Sequence, residues 1–165
     1  MIIVGIDPGT AICGYGAVKM EGSRLIPLTY GAITTPAGMP MPSRLQIIHD
    51  GLGRLLDQYS PDCMAVESLF FNKNVTTGIT VGQARGVIIL AAAQRKIPVV
   101  EFTPTEVKSA VVGYGKAEKA QVQYMVQRLL CLKEKPKPDD TADALAIAIC
   151  ALHEANSLQR KGWIR

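Results

Sequence analysis

The chain has 165 residues, 48% of them hydrophobic, enough for one domain whose core needs no disulfide or metal staple. Its four cysteines, Cys13, Cys63, Cys131 and Cys150, are far apart without a CxxC pair, and His49 and His153 stand alone. This excludes a disulfide framework and a zinc cluster. The net charge of +4 is modest, but between Thr103 and Pro138 seven basic residues oppose three acids, an excess equal to that of the whole chain and suited to a polyanion.

Ile2, Ile3, Val4 and Ile6 form a short, β-branched apolar run, which predicts a strand buried on both faces. Asp7 arrives where the run ends, and Pro8-Gly9 turns the chain at once. A carboxylate at that place either closes its own turn or needs a cation or a fixed hydrogen-bond network to repay its burial. Residues 12–20 alternate as a second strand, in which Gly14 and Gly16 permit close backbone approach. Glu21-Gly22-Ser23 turns the chain into a third strand, 24–34.

The proline-rich stretch 35–42 reads as a loop. Ser43 is the expected cap of a helix carrying Leu45, Ile48, Leu52, Leu55 and Leu56 at helical spacing to about Tyr59. Residues 63–66 form a fourth strand, and it too ends on an acid, Glu67. An irregular stretch with Phe70, Phe71 and Lys73 precedes a long helix, 76–95. A fifth strand covers 98–102. Thr103-Pro104 opens a short helix that Gly113 breaks. A basic helix follows over 117–132, and a last one over 140–158. The order predicts an α/β fold with a five-stranded mixed sheet flanked by helices, as a single domain over 1–158 with a tail at 159–165. No basic leader precedes the first apolar run, and no apolar stretch is long enough for a membrane span. A soluble, cytoplasmic protein is expected.

Two strands thus end in acids, Asp7 and Glu67, and functional groups collect beyond strand ends in sheets of this type. Asp140 and Asp143 share one face at the start of an otherwise apolar helix. Helix capping explains such a pair without function, at roughly 0.5–2 kcal/mol. Four acids brought together repel unless a cation compensates them, and hard oxygen ligands without a histidine cluster select Mg²⁺ or Mn²⁺ over zinc.

Five stretches carry a resemblance. They are Gly5-Ile-Asp-Pro-Gly-Thr10 with Gly14-Tyr-Gly16; Glu67-Ser-Leu-Phe-Phe-Asn-Lys-Asn74; Gly82-Gln-Ala-Arg-Gly86; Val107-Lys-Ser-Ala-Val-Val-Gly113 with Ala117-Glu-Lys119; and Asp140-Thr-Ala-Asp-Ala-Leu-Ala-Ile-Ala148. In this order, over nearly the whole length, the chain resembles the RuvC-type Holliday junction resolvases of the ribonuclease H-like superfamily. Asp139 precedes Asp140, and the family's D-x-x-D-A-L spacing selects Asp140 and Asp143. Histidine is frequent at the first of these positions in the family, so Asp140 is a permitted variant.

The resemblance implies two Mg²⁺ ions, replaceable by Mn²⁺, held by Asp7, Glu67, Asp140 and Asp143. It implies hydrolysis of a four-way DNA junction by paired symmetric nicks, leaving 5′-phosphate and 3′-hydroxyl ends. Lys108 and Lys119 match basic residues near the scissile strand; Phe70, with Lys73 beside it, matches an aromatic contacting unstacked bases. A C2 homodimer is implied, and a branch-migration helicase complex of the RuvAB type as partner. Gly82 and Gly86 would let another helix approach, at a dimer seam or on the sheet.

Three rival readings stand beside this one. Asp-x-Gly-Thr also resembles the first phosphate loop of sugar-kinase and actin-like ATPases, but these need two related domains. A YqgF-type nuclease of ribosomal RNA maturation shares the fold, although Phe70-Phe71 and Gly-Gln-Ala-Arg-Gly argue against it. A catalytically silent junction-binding module would gain nothing from four acids that repel DNA phosphates.

Overall fold

The computed structural model describes residues 1–68 and 75–164, with 75–77 by backbone alone. Five strands, β1 (Ile2–Asp7), β2 (Ile12–Glu21), β3 (Arg24–Thr34), β4 (Cys63–Glu67) and β5 (Val99–Phe102), form one sheet in the order β3-β2-β1-β4-β5. The first three pair antiparallel, while β4 runs parallel to β1 and to β5. The mixed five-stranded sheet flanked by helices is therefore present, with the β-branched β1 at its centre.

The helices are α1 (Met41–Tyr59), α2 (Val75–Gln94), α3 (Pro104–Val112), α4 (Lys119–Leu129), α5 (Asp139–His153) and α6 (Ala155–Arg160). On one face of the sheet, α1 and α2 bury Ile48, Leu52, Leu56, Ile88 and Ala91 against Val4, Ile6 and Val66. On the other, α5 covers the sheet almost dry, with α3 and α4 packed outside it and Val107, Val122 and Val126 between.

Three local expectations are corrected. Pro40, not Ser43, caps α1, with Pro42 in the first turn, where a missing N–H costs no hydrogen bond. The basic helix is shorter than 117–132 because Glu118 is its N-cap, its N–H bonded to Gln121 Oε1 at 2.8 Å. The last helix is two: the Glu154 N–H reaches back to the Cys150 and Leu152 carbonyls, and the chain restarts as α6. Past Leu158, Ile164 is buried in the α5 core.

The approach permitted by glycine is made by α5. A Cβ on Gly14 would lie 2.0 Å from the Asp140 carbonyl oxygen, and one on Gly5 would lie 2.1 Å from that of Ala144. The helix backbone therefore rests directly on β1 and β2, and no residue with a side chain fits at either point.

Candidate active site

The sheet brings the first two acids together. Asp7 pairs with Gly14 at the end of β1, and the parallel register of Ile6 with Val66 sets Glu67 beside it at the end of β4. Asp140 rides over Gly14, and Asp143 follows one turn later on the same helix face. All four predicted acids thus share one end of the sheet.

Capping does not account for the α5 pair. The N-cap is Pro138, which has no side-chain acceptor, and Asp139 and Asp140 lie in the first turn. The half-buried Asp143 instead meets Lys119 Nζ at 3.1 Å.

The charges are strongly coupled. Burial, reinforced by Asp143, Glu67 and Asp140, pushes the Asp7 carboxyl from 3.8 up to about 8, against the pull of Lys119. Burial likewise raises Glu67, with Asp143 adding to it and Lys108 and Lys119 opposing. Asp143 is raised by burial despite its bond to Lys119. On Lys119, burial works against the charge, but Asp143 and Asp139 outweigh it and hold the ammonium more firmly protonated.

Among the described residues, no three His, Cys, Asp or Glu side chains are gathered tightly enough to enclose one ion. The donor set still fits a hard divalent cation: oxygen ligands only, an excess of buried negative charge, and an ammonium already standing in on Asp143. Lys108 and Lys119 line a cleft of about 220 Å³ with Glu67 and Asp143, floored by Val107, Val122 and Ile147. The two predicted lysines therefore open onto the same site. Phe70, Phe71 and Lys73 lie outside the described residues.

Several supporting groups escaped the sequence reading. Arg85, nearly buried on α2, donates from Nη1 to the Glu67 carbonyl at 2.6 Å and pairs through Nη2 with Glu101 Oε1 at 2.5 Å. Its signal was its place within Gly82-Gln-Ala-Arg-Gly86. Thr35 Oγ1 donates to the Thr10 carbonyl at 2.5 Å and accepts from Arg44 Nε at 2.7 Å, fixing the loop after Asp7. No local signal marks that contact. Gly82 and Gly86 do not pack on the sheet: a Cβ at either would meet nothing within 4 Å.

The family model for crossover junction endodeoxyribonuclease RuvC matches residues 3–151. The chain belongs to the RuvC family. The crossover junction endodeoxyribonuclease RuvC of Desulfitobacterium hafniense (strain DSM 10664 / DCB-2) is 57% identical over 162 residues, 98% of each chain. The Thermus thermophilus RuvC structure superposes with a TM-score of 0.88 at 35% identity, covering 100% of this chain and 99% of the other. T. thermophilus RuvC in complex with Holliday junction substrate gives the same TM-score at 34% identity, over 95% and 96% of the two chains. No described helix is long and apolar enough to cross a membrane.

Proposed function

We propose that this RuvC-family enzyme resolves four-way DNA junctions by paired symmetric nicks in recombination and repair, with Asp7, Glu67, Asp140 and Asp143 as the metal-holding set. The observation carrying this reading is the coupling of those acids around Asp7 beside the cleft of Lys108 and Lys119. Asp7, Glu67, Asp140 and Asp143 would hold two Mg²⁺ ions, or Mn²⁺ in their place, which when bound would supply Lewis acidity for phosphodiester hydrolysis leaving 5′-phosphate and 3′-hydroxyl ends.

The chain's own residues do the rest. Asp7, central, buried and repelled by the other three acids, gains from a cation. Lys108 and Lys119 present positive charge to the scissile phosphate. Arg85 holds the backbone of Glu67, and Thr35 the loop beyond Asp7. Phe70 and Lys73 are assigned to the unstacked bases and backbone at the crossover, by resemblance.

Two-fold symmetry of the junction calls for two copies. The outer face of α2 supports this: Ile79 and Leu90 are half-exposed, with the open surfaces of Gly82 and Gly86 between them. A second copy of this helix is the assigned occupant. A branch-migration helicase complex of the RuvAB type would deliver the junction. The cytoplasm is the proposed compartment, in keeping with four free cysteines.

A synthetic four-way junction, labelled on each strand and incubated with Mg²⁺ or with chelator, tests the reading. Paired nicks at symmetric positions, lost in Asp7→Asn with junction binding retained, are expected. Retained nicking by Asp7→Asn at saturating Mg²⁺ would reject the assignment, and binding without any cleavage would favour a silent junction-binding module.

A further inference from the structure

Asp139 lies outside the spacing that selects Asp140 and Asp143, yet its exposed carboxylate is fixed from two sides. Gln123 Nε2 donates to its Oδ1 at 3.0 Å, and Lys119 Nζ lies 3.5 Å from its Oδ2. Lys119 and Gln123 are one turn apart on α4, so both reach the first turn of α5 from one helix face. The same ammonium is 3.1 Å from Asp143 Oδ2. Lys119 is therefore shared between an inner carboxylate, coupled to Asp7 and Glu67, and an outer one facing solvent.

The two carboxylates have different demands on them. A divalent cation among the four acids competes with the ammonium for Asp143, because two cations near one carboxylate repel. Asp139 is not among the four acids, and Gln123 keeps it oriented. We propose that Asp139 is a positioning residue that takes the Lys119 ammonium when Asp143 turns to the metal, so that Lys119 yields its place without leaving the cleft. The proposal rests on the metal-centre reading above. If Asp139 is removed, Lys119 has only Asp143, and the cation meets a stronger competitor.

The test is a Mn²⁺ titration of the DNA-free chain, followed by the electron paramagnetic resonance signal of the free ion. It covers wild type, Asp139→Asn, Lys119→Ala and the double variant. Asp139→Asn should raise the Mn²⁺ dissociation constant about twofold to fivefold, the fold-change matching an exposed ion pair of roughly 0.4–1 kcal/mol. In the Lys119→Ala background the same substitution should leave binding unchanged. Gln123→Leu, which frees Asp139 without altering its charge, should weaken Mn²⁺ in the same direction, again only when Lys119 is present. Equal weakening in both backgrounds means that Asp139 acts through its own negative field and overturns the proposal, as does no weakening in either. Asp7→Asn separates the two levels: Mn²⁺ binding that survives it defeats the metal-centre reading itself. Binding lost in Asp7→Asn, with purely additive effects of Asp139 and Lys119, defeats this proposal alone.

Discussion

The Arg85 guanidinium binds the main-chain carbonyl of Glu67, not its carboxylate. It spans from α2 to the end of β4 and on to Glu101 in β5, so it fixes the strand end from which Glu67 projects. Arg85→Ala leaves that carbonyl without its donor and should cost about 1–3 kcal/mol of stability. It should also slow cleavage by letting Glu67 wander. Arg85→Lys keeps the charge but not the two-pronged geometry, so it should recover part of the stability and little of the rate. Chemical denaturation beside single-turnover junction cleavage reads both; lost stability with normal cleavage would confine Arg85 to the sheet.

Asp7 makes folding depend on pH. Its carboxyl, pushed up to about 8, keeps a proton in the folded chain that the unfolded chain has released, so stability should fall as pH rises from about 4 toward 8. Asp7→Asn removes that loss. In chelator it should match wild type near pH 4 and exceed it above pH 8 by roughly 5 kcal/mol, about 1.4 for each pH unit between the unfolded and folded values, with about 2–4 °C in Tm for each kcal/mol. Urea denaturation across this range is the measurement. An Asn variant less stable than wild type at pH 8 would mean that native partners favour the charged carboxylate.

The same proton must leave before a cation binds. Mn²⁺ affinity should therefore climb with pH, by at most about tenfold per unit, and level off above about pH 8. Titrations at pH 6, 7, 8 and 9 should show the climb in wild type, with Asp7→Asn binding no Mn²⁺ at any of them. A flat wild-type profile would place the cation away from Asp7.

Leu90 is half-exposed on α2, in line with Ile79 and the open faces of Gly82 and Gly86. Leu90→Glu should leave the fold intact and convert a dimer into monomers, by light scattering after gel filtration. Nicks in the two opposed strands should then become uncoupled. A wild-type monomer, or a variant that still dimerises, would move the seam elsewhere.

Much of this was legible locally. The β-branched run before Asp7 marks a buried central strand, and Gly14 and Gly16 announce a close approach. What approaches them is not local: α5 lies more than a hundred residues on, and only its dry, small-residue face hints that it could seat against backbone. The capping explanation of Asp140 and Asp143 assumed a helix beginning at Asp140, whereas Pro138 starts it two residues earlier and turns Asp139 toward Lys119. The α5–α6 break was hidden because apolar residues continue across it, and Ile164 because one buried side chain leaves no periodicity. The pairing of Lys119 with Asp139 and Asp143 depends on α4 and α5 meeting at their first turns, a tertiary relation with no sequence period.

The seating of α5 on Gly5 and Gly14 makes the height of Asp140 above the sheet a matter of main-chain dimensions. Two backbones in direct contact form a hard stop, and drift elsewhere in the core, such as a Val for Ile beneath α4, cannot lower or lift it. The site is thereby insulated from most of the sequence variation its own scaffold can absorb. A single methyl at residue 14 finds no room there and would push α5 off the strand, changing the gap between Asp7 and Asp140 without replacing any acid.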